Sequence, residues 1–324
     1  MTVSTTWVFA ESAEGAPAAS TLELLSKARQ LSATVEAFHA GPVSTELAAE
    51  LGRYGASRVH STGELGATLV GAPAAAGLAA AIEQGDGDPG LILAAMTYGG
   101  RDLLGRLSAR LDRPVVTDGT DVRSDGDTVL VDKPIFGGRT VVTTALRAPP
   151  YLVGIRPGSF PAEPATDPHP PGVSTVDLPE LGPAGAAVVA ARHAEARAGP
   201  RLDDAAVVVA GGRGLGTPDR FELVEELARL LHGAPGATRA VVDAGWVPYA
   251  YQIGQTGKTV RPEVYLALGI SGATQHLVGM NGARHIIAID KDAEAPILAI
   301  ADLGIVGDVH QVVPRLIEAL RSRG

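Results

Sequence analysis

Cysteine is absent from all 324 residues. Without a thiol there is no disulfide, no thiolate zinc site and no cysteine-ligated iron–sulfur cluster, so any redox chemistry has to come from a bound organic cofactor. Long apolar runs are missing too: stretches such as Leu91 to Met96 fall far short of the roughly 20 residues that span a bilayer and are bounded by Gly or charge. The start of the chain, Met1 to Ala10, is a short apolar strand pattern with no basic segment and reads as fold rather than signal peptide. A cytoplasmic location is therefore expected. A broad positive field is also lacking. The net charge of −9 and a pI near 5.4 argue against nucleic acid or an anionic membrane as partner, and for small molecules or proteins. The eight histidines show no close metal-binding spacing, and no arrangement of serine, histidine and acid stands out, so metal catalysis and acyl transfer are weak readings.

Apolar residues, by contrast, make up 45% of the chain against 19% charged, enough for a sizeable core in a globular protein of two domains. In the first half, short apolar strands (Trp7 to Ala10, Thr34 to Phe38, Arg58 to His60, Leu91 to Ala95, Val115 to Thr117) alternate with helical stretches such as Thr21 to Ser32 and Arg101 to Leu111. Such alternation predicts an α/β domain on a mainly parallel sheet. Asp127 to Asp132 and Arg139 to Thr144 predict a hairpin at the edge of that sheet. Between Pro157 and Pro183 lie eight of the 23 prolines, which blocks continuous helix or central strand. A short helix, Ala184 to Ala198, is expected to bridge into the second domain, placing the domains at 1–198 and 199–324. The second domain opens with the strand Ala205 to Ala210. Strands at Arg239 to Val242, Val264 to Leu268 and His285 to Ile289 are expected to follow, with helices at Phe221 to Leu231, Thr274 to Gly279 and Val312 to Arg321. This pattern predicts a doubly wound α/β domain with ligands beyond the carboxyl ends of its strands.

Two motif matches fail. Gly257-Lys258-Thr259 looks like the end of a phosphate-binding loop, but that loop needs a Gly where Gln252 stands. Gly212-Arg213-Gly214 begins like a dinucleotide fingerprint, but the third Gly is replaced by Thr217. What remains is a set of polar, glycine-spaced turns around predicted strands. Glycines at 211, 212 and 214 would let backbone approach a ligand while Arg213 offers a planar donor to phosphate or ribose oxygens, or else they form a tight turn with a solvated arginine. Gly269-Ile270-Ser271-Gly272 leads into a helix whose first N–H groups, with the Ser271 hydroxyl, would bind an anion or simply cap the helix. His276 reads equally as packing or as a ligand contact. Gln252 to Lys258 suits hydrogen bonding to the edge of an aromatic heterocycle, with a surface Ω-loop as the alternative.

Several separated motifs occur in a fixed order: Gly212 to Leu215 (Gly-Arg-Gly-Leu), Val242 to Gly245 (Val-Asp-Ala-Gly), Gly254 to Lys258 (Gly-Gln-Thr-Gly-Lys), Gly269 to His276 (Gly-Ile-Ser-Gly-Ala-Thr-Gln-His), Asp292 to Ile297 and Ala301 to Asp308. Through them the run from Gly211 to Pro314 resembles the alpha subunit of electron transfer flavoproteins. The first domain resembles it more diffusely, at Arg113 to Asp118, Phe136 to Gly138 and Arg156 to Phe160.

The resemblance implies FAD in the second domain and a heterodimer with a beta subunit carrying AMP. It implies electrons received from acyl-CoA or other flavoprotein dehydrogenases and passed to a membrane quinone reductase, with no substrate chemistry in this chain. By the same resemblance Thr256 would hydrogen-bond flavin N5 and His276 would face the N1/C2=O side, where negative charge collects on one-electron reduction. Arg239, following Thr238 in the family's Ser-Arg position, would lie against the ring. Arg213, Ser271, Gln275 and Asp308 match further FAD-contacting positions, phosphates and adenosine included. Gln252, Ile253, Gly254, Gln255, Gly257, Gly272, Ala273 and Thr274 complete the implied set, with Asp290. Thr238 keeps the hydroxyl of the family Ser. Asp290 stands where the family has Asn, so an amide gives way to a carboxylate that only accepts when ionised and would repel a phosphate. The rival reading is a stand-alone enzyme that binds NAD with the same domain.

Overall fold

No side chain of the strand Leu91–Ala95 is exposed, a pattern that belongs to parallel sheets covered on both faces. The computed structural model describes residues 3–322 except 14, 86, 126–127, 137–139, 192–199 and 203–204. The chain forms two units, 1–193 and 194–324. The expected boundary at 198 falls outside the described residues.

The first unit runs β1 (Val3–Phe9), a minimal hairpin of β2 (Ser12–Ala13) and β3 (Ala16–Pro17), α1 (Ala19–Leu31), β4 (Ser32–His39), α2 (Thr45–Arg53), β5 (Arg58–Ser61), α3 (Gly71–Glu83), β6 (Leu91–Ala95) and α4 (Tyr98–Leu111). It continues through β7 (Val115–Gly119), β8 (Asp121–Asp125), β9 (Thr128–Ile135), β10 (Thr140–Leu146), β11 (Tyr151–Ile155) and β12 (Gly172–Thr175). Seven strands form one parallel sheet in the order β12-β5-β4-β1-β6-β11-β7. Strand parity sorts its two faces: Val8, Leu91, Leu93 and Val153 enter one core with residues of α1 and α2, while Trp7, Phe9, Ile92 and Leu152 enter another with α3 and α4.

The predicted hairpin forms as β9 and β10, but with β8 it makes a separate antiparallel sheet instead of an edge of the parallel one. Its turn at 137–139 and the expected start at Asp127 lie outside the described residues. The proline-rich stretch contributes β12, an edge strand, where missing N–H groups are tolerated. The bridging helix expected from Ala184 is instead a short 3-10 turn, Gly182–Ala186, followed by an isolated bridge between Val188 and Thr68. Residues 187–191 are likewise not helical, and 192–198 of that expected helix lie outside the described residues.

The second unit contains β13 (Val207–Gly211), α5 (Glu222–Leu230), β14 (Ala234–Thr238), α6 (Arg239–Asp243), β15 (Gln252–Ile253), β16 (Val264–Leu268), α7 (Thr274–Leu277), β17 (His285–Asp290), β18 (Leu303–Val306) and α8 (Val309–Arg321). All six strands are parallel, in the order β15-β14-β13-β16-β17-β18. That is the order of doubly wound dinucleotide-binding sheets, which reverses between the first and fourth strands, here β13 and β16. One expectation is corrected: Arg239 to Val242 is helix α6, and the strand lies just before it. Pro235 and Gly236 disguise β14, but β15 pairs only with Ala237 and Thr238, so the strand is an open edge at Pro235 and needs no donor there.

Candidate functional site

The candidate residues converge because every strand of the second sheet runs the same way, so their turns all open at the carboxyl edge. Arg213 follows β13, Thr238 ends β14 and Arg239 follows it, and Gln252 to Gly257 start at β15. Ser271 to His276 follow β16, Asp290 ends β17 and Asp308 follows β18. Sequence neighbours contribute little to this grouping; parallel pairing does the work.

Glycine has a different use here from the one the sequence suggested. The Gly212 N–H donates to Leu268 O at 2.9 Å and that of Gly214 to Gly269 O at 3.0 Å. A Cβ on Gly212 would lie 2.2 Å from Gly269 O, and one on Gly214 2.7 Å from Gly269 Cα. These glycines therefore let two loops approach each other instead of opening the backbone to a ligand. The crevice between β13 and β16, where a dinucleotide pyrophosphate sits in open sheets of this order, is bridged by backbone hydrogen bonds. Arg213 remains exposed beside it.

The helix expected after Ser271, Thr274 to Gly279, is shorter than the sequence suggested. α7 is a single turn of four residues, too short to build up an axial dipole. Ser271, Ala273, Thr274 and Gln275 are exposed on this turn and Gly272 is buried, so Ser271, Thr274 and Gln275 act through their own polar groups.

The 252–258 loop is tied down rather than loose. Gln252 is buried and its Nε2 donates to Thr256 Oγ1 at 3.0 Å. Its backbone carbonyl accepts from Lys258 N at 2.7 Å, and Gly254 N donates to Lys258 O at 3.1 Å. Tyr249 Oη donates to Thr256 O. Because Thr256 Oγ1 already accepts, its own proton is free to give to an acceptor outside the loop. Gln255 N donates to Gln275 O at 2.8 Å, and Gly254, at φ 138°, packs so closely that a Cβ would meet that same carbonyl at 2.8 Å. This loop and the 271–276 turn thus form one surface.

His276 is buried at the junction. Its Nδ1 lies 3.1 Å from Ile253 O and its Nε2 2.8 Å from Tyr265 Oη. Burial pulls its pKa down to about 4, the hydrogen bond to Ile253 opposing this only in part. The ring is therefore uncharged at neutral pH. Tyr265, wholly buried in β16 with its phenol pushed up by burial, was not picked out from the sequence. The available signal was a hydroxyl inside an otherwise aliphatic strand, which has to find a partner.

Arg239 is exposed and pairs with Asp243, Nε to Oδ2 3.1 Å. Asp290 Oδ1 accepts from Asp292 N at 2.9 Å. An amide oxygen would serve that turn equally, so Asp in place of Asn is neutral for the local structure. Asp308 caps α8, accepting from His310 N at 2.9 Å.

Two family models match: one described as an electron transfer flavoprotein domain over residues 6–181, the other as an electron transfer flavoprotein FAD-binding domain over residues 201–281. The electron transfer flavoprotein subunit alpha of Syntrophomonas wolfei is 36% identical over 321 residues, covering 98% of this chain and 99% of that one. That of Mycobacterium tuberculosis is 39% identical over 321 residues, 98% of each chain. That of Thermoanaerobacterium thermosaccharolyticum is 37% identical over 326 residues, 98% of this chain and 97% of that one. The chain belongs to the electron transfer flavoprotein alpha-subunit family, a family of electron carriers rather than substrate-converting enzymes.

Proposed function

We propose that the carboxyl edge of the second sheet holds FAD and that this chain is one half of a heterodimeric electron carrier. Its beta subunit would carry AMP. Acyl-CoA and other flavoprotein dehydrogenases would supply electrons, in fatty acid β-oxidation among other settings, and a membrane quinone reductase would receive them. A cytoplasmic location belongs to the same reading.

The observation that carries this is one surface with donors of the right kinds. Exposed Arg213, Ser271, Thr274 and Gln275 suit phosphate and ribose oxygens, and Asp308 suits hydroxyls at the adenosine end. Thr256, with its proton free, suits an acceptor nitrogen on a ring edge, and Arg239 supplies a fixed charge at the end of β14. Gly254, Gly257 and Gly272 let neighbouring backbone approach too closely for a Cβ and, with Gln252, Ile253 and Gln255, hold the shape of the surface on which a flat heterocycle would lie, while Ala273 adds only a methyl group there. Thr238 places Arg239 and Asp290 fixes the turn after β17. When bound, the flavin would supply one-electron chemistry. The chain's residues would orient it, exclude water from it and set its potential through fixed charge and hydrogen bonds.

The test is the visible spectrum of this chain purified with its partner subunit and titrated with dithionite. Yellow protein bleaching in one-electron stages is expected. A colourless heterodimer that stays so after added FAD would overturn the reading and favour a stand-alone NAD enzyme.

A further inference from the structure

Three polar residues far apart in the chain meet on one face of the first sheet. Glu36 lies on β4, His60 on β5 and Ser174 on β12, three neighbouring strands, and the register sets Ser174 directly beside His60. His60 is 0% exposed; its Nε2 lies 2.7 Å from Glu36 Oε2 and its Nδ1 3.2 Å from Ser174 Oγ. Trp7 stands against the imidazole, ring centroids 4.3 Å apart at 30°, which helps to hold the ring between its two partners. Burial works to raise the Glu36 carboxyl, but the hydrogen bond from His60 and nearby positive charge leave it below its ordinary value, so it is ionised. An ionised carboxylate only accepts, so the neutral imidazole keeps its proton on Nε2 and turns a bare Nδ1 to the Ser174 hydroxyl, which donates to it. A hydroxyl, a base within reach of it and an acid that orients the base are the parts of an activated nucleophile. No spacing in the sequence marks them, because positions 36, 60 and 174 come together only through strand pairing.

The base and its acid are buried, but the hydroxyl lies at an edge. β12 is the outer strand of its sheet, and the N–H groups of Gly172 and Val176 donate to Ser57 O and Ser61 O on the β5 side, at 3.1 and 2.8 Å. By alternation the N–H of Thr175 points to the open side, where β12 has no neighbouring strand among the described residues. Ser174 itself is partly buried between exposed Val173 and Thr175. A backbone donor for an oxygen that gains negative charge thus adjoins the hydroxyl in the chain.

We propose that Ser174 is a modification site whose hydroxyl takes the acyl group of a carboxylic ester, with His60 as general base and Glu36 as the residue that positions the base. Ser174 Oγ bonds to the ester carbonyl carbon as its proton passes to His60 Nδ1. The bond from that carbon to the alcohol oxygen breaks, and the departing alcohol takes the proton. No electron enters or leaves, so the step is independent of the FAD reading above. Were the trio only a way to satisfy a buried histidine, this hydroxyl would be no more reactive than that of an ordinary serine.

The test incubates the chain with p-nitrophenyl acetate and locates the acetyl groups by peptide mass spectrometry over time. Ser174 is expected to be acetylated roughly a hundredfold faster than Ser12, which is exposed. Acetylation of Ser174 no faster than that of Ser12 overturns the proposal, and this comparison within one wild-type protein needs no variant to fold. Glu36→Gln is expected to slow acetylation of Ser174 by about tenfold or more and to leave Ser12 unchanged, since an amide can donate to Nε2 and so place the imidazole proton on Nδ1, against the hydroxyl. Equal Ser174 rates in the wild type and a folded Glu36→Gln variant overturn the part given to the histidine and its carboxylate.

Discussion

Thr256 and Arg239 act on the flavin in different ways, and their substitutions should separate. Arg239 is half of an exposed ion pair with Asp243, worth at most about 1 kcal/mol to folding. Arg239→Ala should therefore leave the melting temperature nearly unchanged, yet lower the flavin midpoint potential by roughly 60 mV, the one-electron equivalent of about 1.4 kcal/mol. Thr256→Ala removes one neutral donor and should give a smaller shift with FAD retained. Redox titration of both checks the ranking; colourless Thr256→Ala protein would make that residue a binding rather than a tuning group. His276 sets a pH dependence of stability. Its folded pKa, near 4, lies below the ordinary 6.5, so the unfolded chain binds the extra proton between those values. Stability is complete above about pH 6.5 and is lost as pH falls toward 4, by a contribution of about 3 kcal/mol at most. His276→Gln keeps a donor for Ile253 and an acceptor for Tyr265 but does not titrate. Denaturant unfolding of the variant should be flatter across this window, and parallel curves would place the acid sensitivity elsewhere.

Glycine separates the elements into those that need it and those that tolerate it. At Gly212 a methyl group would meet the Gly269 carbonyl and the Ile270 Cα, both backbone, so the two loops would have to part. Gly212→Ala should cost at least about 2 kcal/mol. Gly105, within α4, meets nothing within 4 Å, and Gly105→Ala should stabilise by about 0.5–1 kcal/mol through helix propensity and a less flexible unfolded chain. Chemical denaturation of the two variants gives opposite signs if the loop contact is real. The same packing explains why the turn after β13 looked like a ligand loop in the sequence. Glycine before a close approach reads identically whether the neighbour is a phosphate or another backbone, and only the position of Gly269 tells them apart. The helix α6 and the strand β14 were confused for a comparable reason. Residues 239–242 carry apolar Ala240, Val241 and Val242 in a row, whereas β14 contains Pro235 and Gly236, which propensity counts against a strand. The neighbours β13 and β15 decide the matter.

Each unit is a doubly wound sheet with a separate apolar core on each face, so each has what it needs to melt as its own cooperative block. Calorimetry of the chain should resolve two transitions. FAD at about 100 times its dissociation constant should raise the one that His276→Gln also moves, by the equivalent of about 2.7 kcal/mol, and leave the other in place. A uniform shift of both would count against FAD residing in the second unit. At this scale much was legible beforehand. Alternating strands and helices announced two parallel-sheet domains, and strands such as Leu91–Ala95 and Val264–Leu268 were legible to the residue, because a buried parallel strand is a continuous apolar run and flanking Gly or charge ends it. The ordered motifs likewise marked the candidate residues, since each lies within a few positions of a strand end. Tertiary structure alone decided which of these touch: the pairing of Tyr265 with His276, the closure of Gly212 on Gly269, and the separation of β8 to β10 into their own sheet. Local periodicity fixes which way a side chain faces along its element, but the partner of a hydrogen bond is chosen by how distant segments pack, and no spacing within one segment carries that choice.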